Sequence, residues 1–316
     1  MSPDGCAIGL DVGGTKTAAA RVAPDGSILA RAMLPTPADD MAATLHTILE
    51  AARAVMSPDV RSVGIAAAGL VEWPTGVLRF APNLAWRDAP LVEPLRDALE
   101  LPVVADNDNT AAAWGEFRFG AGRDFRHMVL VGVGTGIGGG IVADGALFRG
   151  AHGFAAEIGH IIVDPDGPLC GCGNRGCWEQ VASGQAVTRA GRQAVLEGET
   201  TVLRDQVDGD PDRVTGPMVT KAAQDGDAVS IAIIVEIGRR LGEGIGALVN
   251  VLDPEVVVVG GGVAAAGELL LSPAREAFRR TVEAADRRPA VPLVRGQLGN
   301  DAGVIGAATL ALESTA

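Results

Sequence analysis

The sequence predicts an α/β protein built from two halves of similar plan. An apolar strand, a glycine-rich turn and a returning strand occur at residues 6–22 and recur, about 120 residues later, at residues 128–142. Around both copies, apolar runs of strand length alternate with stretches of helical periodicity, which is the pattern of α/β folds. A chain of 316 residues is long enough for two such domains. We therefore expect two α/β lobes, with a small-molecule site in the cleft between them.

The first half contains the first hairpin, two helices and two further strands. Residues 6–10 and 17–22 are apolar runs on either side of a Gly-Gly turn, and they predict the hairpin. Periodicity then predicts a helix at 38–56, a strand at 60–67, a helix at 88–99 and a short strand at 102–105.

The second half begins with the repeated hairpin and is then dominated by helices. Its hairpin strands are predicted at residues 128–133 and 137–142. The polar region 197–214 predicts a loop. Helices are predicted at 184–196, 217–224, 228–250 and 302–312, and further strands at 255–259 and 291–298.

The charge of the chain argues against several classes of partner. It carries 26 Lys and Arg residues against 39 Asp and Glu residues, a net charge of −13, which opposes binding to nucleic acid or to an anionic membrane. The N-terminal residues lack the basic and apolar segments of a secretory signal, so we expect a cytoplasmic protein. The longest uncharged stretch, residues 128–143, is glycine-rich and is typical of a strand and turn rather than a membrane span.

Two glycine-rich turns are candidates for holding phosphate groups. Each lies at the tip of one of the two hairpins, where glycine lets bare backbone approach a bulky anion. The first turn follows Asp11 and consists of Gly13, Gly14, Thr15 and Lys16, and the second consists of Gly134, Thr135 and Gly136. Neither is a P-loop, because the lysine spacing of that motif is absent and a strand rather than a helix follows. Such a turn can also do no more than close a hairpin.

A third glycine run, residues 260–262, ends a predicted strand and opens a helix. Gly261 and Gly262 would let a flat adenosine or ribose lie against bare backbone. Close packing between a helix and a strand is the alternative explanation of this run.

Three of the four cysteines and one histidine form a candidate metal site. Thiolate and imidazole ligands in this number are typical of zinc, and the glycines between the cysteines permit the tight turns that tetrahedral geometry requires. The four ligands would be His160, Cys170, Cys172 and Cys177. Because four protein ligands leave no position for water, we expect a structural rather than a catalytic zinc ion. The alternative is a set of unliganded buried thiols, and Cys6 is expected in the core.

Two glutamates flank the candidate metal ligands. Glu157 precedes His160 by one helical turn, and Glu179 follows Cys177 by two residues. A loop folded around zinc would bring both carboxylates to one place, where they could accept hydrogen bonds from neighbouring hydroxyl groups. Either glutamate alone could equally be a solvated surface charge.

A polar run at residues 106–110 lies between a short strand and a helix. One polar side chain there could cap the helix, which would account for one of the two aspartates in the run. An enzyme that transfers phosphate to a hydroxyl needs a carboxylate to accept the proton, an effect worth roughly 10² to 10⁴-fold. Asp108 is the candidate base.

These motifs together resemble the ROK family (repressors, open reading frames, kinases), and most closely its bacterial glucokinases. The resemblance covers nearly the whole chain and includes both glycine turns, the Asn107–Asp108 pair and the cysteine cluster. It implies the actin-like ATPase fold shared by sugar kinases, hsp70 and actin. The smaller lobe would comprise residues 1–118 and a C-terminal helix at about 301–316, and the larger lobe, with the zinc loop and adenosine site, residues 119–300.

The resemblance also implies ATP-dependent phosphorylation of a hexose, with Mg²⁺ and a structural Zn²⁺ as the metals. Asp108 would be the general base, Asp11 would orient Mg²⁺ through water, and His160 would bind zinc and a sugar hydroxyl with its two ring nitrogens. The glycine turns would hold the phosphates, Gly261 and Gly262 would bind adenosine, and a homodimer or homotetramer is implied. The implied sugar contacts are Gly69, Asn83, Asn107, Asp108, Glu157, His160 and Glu179.

Two positions distinguish the chain within this resemblance. The family's usual Asn-Asp-Ala-Asn run has Asn109 and Thr110 as its last two residues here, so any role of the second asparagine passes to a threonine or is lost. The family's N-acetylmannosamine kinases carry an arginine about where Leu70 stands, which favours glucose as substrate. Mannose, fructose, N-acetylglucosamine and N-acetylmannosamine are the alternatives. A sugar-sensing regulator is disfavoured by the acidic charge and by a first strand that begins near Cys6.

Overall fold

The structure, a computed structural model, describes residues 5–81 and 86–315. Its contacts define two compact units. Unit 1 contains the described residues of Met1–Leu130, Gly140–Ala156 and Gln297–Ala316, and unit 2 those of Val131–Gly139 and Glu157–Gly296. Residues 119–130 and 140–156 thus belong to unit 1, whereas the sequence-based division assigned them to the larger lobe. The lobe boundaries stay a prediction.

The elements up to Phe119 alternate between strands and helices. The strands are β1 (Cys6–Val12), β2 (Lys16–Val22), β3 (Ile28–Pro35), β4 (Val60–Ala67), β5 (Leu70–Glu72), β6 (Val77–Phe80), β7 (Arg87–Pro90) and β8 (Val103–Asn107). The helices are α1 (Met41–Ala54), α2 (Val92–Leu99) and α3 (Asp108–Phe119).

The rest of the described chain contains a further set of strands and most of the helices. The strands are β9 (Met128–Val133), β10 (Ile137–Ala143), β11 (Ala146–Leu147), β12 (Val256–Gly260) and β13 (Leu293–Arg295). The helices are α4 (Trp178–Ala182), α5 (Gly184–Leu196), α6 (Val202–Gln206), α7 (Gly216–Gln224), α8 (Ala228–Leu252), α9 (Glu268–Thr281) and α10 (Ala302–Ser314). Short 3₁₀ helices occur at Ile158–His160, Pro211–Arg213, Gly262–Ala266 and Gly299–Asp301.

Two five-stranded sheets share one strand order, which confirms the predicted internal repeat. The first has the order β3-β2-β1-β4-β8, with β1 antiparallel to β2 and parallel to β4. The second has the order β11-β10-β9-β12-β13. In both, the strand that opens the half lies in the centre, its hairpin partner lies on one side and a later strand on the other. A small antiparallel sheet, β5-β6-β7, lies in unit 1.

The central strand β1 is buried on both faces, as its uninterrupted apolar sequence predicts. Ile8 and Leu10 belong to one core cluster with Ile48 of α1. Ala7 points to the other face and belongs to a second cluster with Ala308 of α10. All five side chains are fully buried, and burial of each large aliphatic side chain stabilises the fold by roughly 1.5–3 kcal/mol.

Helix α10 packs directly on the backbone of β1 and β4. A Cβ atom on Gly9 would lie 1.8 Å from the carbonyl oxygen of Val304, and one on Gly64 would lie 1.8 Å from that of Ala307. Both positions therefore require glycine, because any side chain would push the helix away from the sheet.

The helix predicted at residues 88–99 is wrong in its first part. Strand β7 occupies the start of this range and pairs with β6, and helix α2 begins only at Val92. Pro90 explains the difference, since a residue before proline is disfavoured in helical conformation and proline cannot donate a backbone hydrogen bond.

Other elements were predicted too long or missed. The strand predicted at 291–298 is confined to β13, between Pro292 and Gly296, and the predicted loop 197–214 contains α6. Helix α9 was missed because Pro273 lies inside it, and proline normally ends a helix. Strand β3 was also missed. Among the described helices, none is both long and apolar enough to cross a membrane.

Candidate active site and metal centre

The polar run between β8 and α3 is organised by Asn107. Its side-chain oxygen accepts hydrogen bonds from the backbone amides of Asn109 (2.9 Å) and Thr110 (3.0 Å), which makes Asn107 the N-cap of α3. Its Nδ2 donates to the carbonyl oxygen of Gly69 (3.1 Å). The expectation that capping would account for one of the aspartates is therefore wrong. An asparagine caps the helix, and Asp108 is left for another role.

Asp108 is the first residue of α3 and is partly buried. Its Oδ1 accepts hydrogen bonds from the backbone amide (2.9 Å) and from the side-chain Nδ2 (3.1 Å) of Asn109. Within the described part of the chain, both hydrogen bonds that Asp108 accepts at these distances end on Oδ1. Loss of solvation raises the pKa of Asp108, and the hydrogen bonds from Asn109 oppose that rise.

A second carboxylate, Asp11, lies at the end of β1 within the same unit. Burial, followed by the negative charge of Asp108, raises the pKa of Asp11 to about 6, and the positive charge of Lys16 opposes the rise. Its Oδ2 lies beside the first turn of α10, because a Cβ atom on Gly303 would be 3.0 Å from this oxygen. A divalent cation near two such carboxylates would favour their charged forms.

The predicted turn after Asp11 closes the β1–β2 hairpin. The backbone amide of Gly13 donates to the carbonyl oxygen of Lys16 (3.0 Å), and that of Thr36 donates to the carbonyl oxygen of Thr15 (3.0 Å). Thr15 and Lys16 are exposed, and Gly14 is partly exposed. Closing a hairpin is therefore one role of this turn, and phosphate binding stays a prediction.

The second predicted turn is closed by a hydrogen bond from the amide of Gly134 to the carbonyl oxygen of Gly136 (3.0 Å). The start of α5 also holds this turn in place. The backbone amide of Gly184 donates to the carbonyl oxygen of Gly134 (2.9 Å), and that of Gln185 donates to the carbonyl oxygen of Thr135 (3.1 Å). Among the described residues, a Cβ on Gly134 would meet no atom within 4 Å, whereas one on Gly136 would lie 2.3 Å from Oε2 of Glu179.

The third glycine run has two different environments. Gly261 has a φ of 83°, and a Cβ on it would lie 2.5 Å from the carbonyl oxygen of Val133, so close backbone packing requires glycine there. A Cβ on Gly262 would meet no atom of residues 5–81 or 86–315 within 4 Å. The packing explanation therefore holds for Gly261, and open space lies beside Gly262.

The four predicted metal ligands converge in unit 2. Their ligand atoms all lie within 4.8 Å of one another, with Sγ of Cys172 3.6 Å from Sγ of Cys177 and Sγ of Cys170 3.7 Å from Nδ1 of His160. Tetrahedral zinc with Zn–S bonds of about 2.3 Å separates its ligand atoms by roughly 3.5–3.8 Å, so the cluster fits zinc. Burial raises the pKa of Cys177 to about 12, so a cation is needed to favour the thiolate at neutral pH.

The loop between the cysteines makes the tight turns that were predicted from its glycines. The amide of Cys170 donates to the carbonyl oxygen of Asn174 (2.8 Å), and that of Gly173 donates to the carbonyl oxygen of Cys170 (2.9 Å). Gly173 and Gly176 have φ angles of 93° and 66°, which other residues rarely adopt. The cysteine side chains therefore meet without a long ordered element.

Both flanking glutamates lie close to the imidazole of His160. Oε2 of Glu157 is 4.0 Å from Nε2, and Oε1 of Glu179 is 4.0 Å from Nδ1. Glu179 also accepts a hydrogen bond from Sγ of Cys170 (3.1 Å). Nδ1 is the nitrogen beside the thiols, and Nε2 is the nitrogen beside Glu157.

Comparison with known proteins identifies the family. The model of the ROK family matches residues 7–314. The chain belongs to the ROK family. A glucokinase from Streptomyces coelicolor is 42% identical over 313 residues, which is 98% of each chain, and one from Halalkalibacterium halodurans is 39% identical over 95% of this chain and 92% of its own. A ROK family glucokinase from Streptomyces griseus, solved with glucose and AMPPNP, is 43% identical, covers 98% of this chain and 100% of its own, and has a TM-score of 0.91.

Membership of the ROK family confirms the predicted fold class. The chain has the actin-like ATPase fold, with mixed α/β sheets and helices on the plan described above. Of the sugar contacts that the ROK resemblance implies, Asn83 lies outside the described residues. Gly69, Asn107 and Asp108 lie together in unit 1, and Glu157, His160 and Glu179 lie together in unit 2.

One structural pair in this ROK protein was missed by sequence reasoning. Asp106 is only 2% exposed, and its Oδ2 accepts a hydrogen bond from Nε of Arg149 (2.7 Å) while its Oδ1 accepts one from the amide of Asn107 (2.9 Å). The guanidinium of Arg149 lies 3.9 Å from the ring centroid of Trp73. Burial raises the pKa of Asp106, and Arg149 opposes the rise. The pair thereby fixes the backbone beside the candidate base.

Proposed function

We propose that this ROK protein transfers the γ-phosphoryl group of ATP to the 6-hydroxyl of glucose, with Asp108 as the general base. The full-length similarity to glucokinases supports the reaction. The observation that carries the role of Asp108 is its position: a partly buried carboxylate at a helix N-terminus, with a raised pKa and with both hydrogen bonds from Asn109 on one oxygen.

In the proposed reaction the sugar hydroxyl oxygen forms a bond to the γ-phosphorus. The bond from that phosphorus to the bridging oxygen breaks, and its electron pair leaves with ADP. The hydroxyl proton passes to the carboxylate of Asp108 and is later released to solvent. A raised pKa makes Asp108 a stronger base than an exposed aspartate, provided that the pH is high enough to keep it ionised.

The residues present fit the two metals that the family implies. Asp11, whose pKa of about 6 leaves it charged near neutral pH, would hold Mg²⁺ through water, and the cation would neutralise phosphate charge. His160 and the three cysteines would hold Zn²⁺, which would supply structural order rather than chemistry. The same loop would then present Glu157 and Glu179 to the sugar hydroxyls.

Asn107 is fixed beside the candidate base. Its Oδ1 accepts hydrogen bonds from two backbone amides, its Nδ2 donates to the carbonyl oxygen of Gly69, and its side chain also hydrogen-bonds Asp108 and lowers the pKa of that carboxyl. A side chain held in this way would give the sugar site a fixed shape, and a site of fixed shape discriminates between epimers.

A hexose panel tests the substrate assignment. We expect glucose to have the highest kcat/KM in an ADP-release assay with ATP and Mg²⁺, by about tenfold or more over mannose, fructose, N-acetylglucosamine and N-acetylmannosamine. A higher value for another hexose would contradict the assignment to glucose and leave phosphoryl transfer intact. ADP release in the absence of sugar would contradict the proposed reaction. So would a failure of all five hexoses to support ADP release.

Two glycine substitutions test the proposed contacts of the second turn. Gly134→Ala adds a methyl group that meets no atom in the described part of the chain. We therefore expect about a tenfold rise in the KM for ATP, equal to roughly 1.4 kcal/mol of binding, and little change in the KM for glucose. Gly136→Ala displaces the carboxylate of Glu179, so the KM for glucose should rise. An unchanged KM for ATP in the first variant would exclude Gly134 from phosphate binding, and an unchanged KM for glucose in the second would exclude Glu179 from sugar binding.

A further inference from the structure

Asn109 follows Asp108 in the first turn of α3, and its side chain contacts the carboxylate of Asp108. Two donors of this one residue, its backbone amide (2.9 Å) and its Nδ2 (3.1 Å), converge on Oδ1 of Asp108. An alanine could supply only the first. The second hydrogen bond therefore depends on the asparagine side chain at this position.

We propose that Asn109 is a positioning residue for the base: it holds Oδ1 of Asp108 so that Oδ2 accepts the hydroxyl proton, and it extends activity to lower pH. This inference rests on the proposed role of Asp108 as the general base. Asn109 itself does not receive the proton.

The geometry determines how Asn109 is oriented. The side-chain oxygen of Asn109 would repel a carboxylate oxygen at 3.1 Å, so its Nδ2 must face Asp108. The backbone of Asn109 is fixed in turn, because its amide also donates to the side-chain oxygen of the capping residue Asn107 (2.9 Å). With two donors on Oδ1, the lone pairs of Oδ2 are the more basic ones and are the more available to a substrate proton.

The charges around Asp108 set the direction of the pH effect. Burial raises the pKa of Asp108, and the hydrogen bonds from Asn109 and Asn107 lower it. The negative charge of Asp108 acts on Asp11 at the end of β1, on which Lys16 of β2 acts as well. Asp106 on β8, two residues before Asp108, is paired with Arg149. Substitution of Asn109 leaves all of these in place and removes one donor to the charged form.

The test is the pH profile of kcat/KM for glucose in Asn109→Ala. Loss of a hydrogen bond to the charged carboxylate should move the acidic limb to higher pH by about one unit. Well above that limb, the KM for glucose should stay within about twofold and kcat should fall only a few-fold, because the base is present but less firmly held. Alanine is a good helix former, so the start of α3 should be retained.

Asn109→Asp is the companion variant of matched shape. It replaces the donor with a second negative charge, so the limb should move further to high pH than in Asn109→Ala. Because its side chain has the size of the original, it also provides a second test if the alanine variant does not fold.

The outcomes separate this inference from the proposed function. In one outcome, Asp108→Asn abolishes turnover, and the acidic limb of the kcat/KM profile in both Asn109 variants lies within about 0.2 pH units of its position in the original protein. The positioning role is then wrong, and the base assignment stands. If Asp108→Asn retains turnover, the base assignment itself is wrong and the limb belongs to another group. A limb that shifts in the expected order, in variants that still bind glucose, supports the inference.

Discussion

Asp108→Asn is expected to lower kcat by roughly 10³-fold, within the range that general-base catalysis supplies, while glucose binds with a Kd within about threefold of its original value. The amide oxygen of the new asparagine can still accept both hydrogen bonds from Asn109, so the start of α3 keeps its shape. The amide cannot accept the hydroxyl proton. Steady-state kinetics and calorimetric titration with glucose measure the two effects separately.

The same variant should be more stable than the original protein in the absence of ligand. Because burial raises the pKa of Asp108 in the folded state, its ionisation disfavours folding as the pH rises through that pKa, and an uncharged asparagine avoids this cost. We expect the Tm at about pH 8 to rise by roughly 2–4 °C, the shift that about 1 kcal/mol produces in a protein of this size. The difference should shrink as the pH falls, because protonation removes the negative charge of Asp108.

Asp106→Asn is the matched control, two residues away. Asp106 is more deeply buried than Asp108 and is paired with Arg149, so its neutral replacement leaves a half-buried guanidinium without its counter-charge. We expect a loss of roughly 1–3 kcal/mol of unfolding free energy, the opposite sign to Asp108→Asn. The two oxygens of Asp106 face two donors, Nε of Arg149 and the amide of Asn107, and the one amide oxygen of asparagine leaves one of these donors facing an NH₂ group. Near-normal kcat in Asp108→Asn would remove Asp108 from the mechanism, and a lower Tm would contradict the stated effect of its burial.

The elements that could be predicted from the sequence are those that local chemistry determines. Strand β9 has the predicted bounds because an apolar run ends at a glycine turn, and α5 has its predicted bounds because Ser183 caps it at a clear change of polarity. The metal ligands were found for the same reason, since four donors of a recognisable kind lie close together in the sequence. Local rules also explain the error at α2, where Pro90 should have been given more weight.

The parts that could not be predicted depend on contacts between distant residues. Arg149 and Asp106 are separated by 43 positions, and no spacing marks them as partners. Glu116 is only 2% exposed because its carboxylate accepts hydrogen bonds from the backbone amides of Gln297 and Leu298, 181 and 182 positions away. A sequence indicates that such charges exist, and only the fold shows that they are buried and paired.

The contact between Asn109 and Asp108 is an intermediate case. The two residues are adjacent, and the departure from the family's alanine was visible in the sequence. Adjacent side chains on a helix normally point in different directions, so a hydrogen bond between them is not expected from spacing. It forms here because Asp108 and Asn109 are the first two residues of α3. No preceding helical turn lies beside their side chains, since the helix begins after the N-cap residue Asn107.

Cys172→Ala is expected to lose most of its zinc and to raise the KM for glucose by about tenfold or more. The ligand set of three thiols and one imidazole predicts about one zinc ion per chain in the original protein, measurable by elemental mass spectrometry. Cys172 is exposed, so its replacement removes little packing, and the effect on glucose would come from the loop that carries Glu157, His160 and Glu179.

Cys6→Ala separates loss of a thiol from loss of a metal ligand. Cys6 is 1% exposed in β1 and is not one of the four candidate metal ligands. Its replacement should lower the free energy of unfolding by about 1 kcal/mol, because a buried side chain is shortened. Zinc content and the KM for glucose should stay unchanged. An original protein without zinc would contradict the metal assignment. A zinc-free Cys172→Ala with a normal KM for glucose would show that the metal orders the loop without shaping the sugar site, because the two glutamates would then reach the hydroxyls unaided.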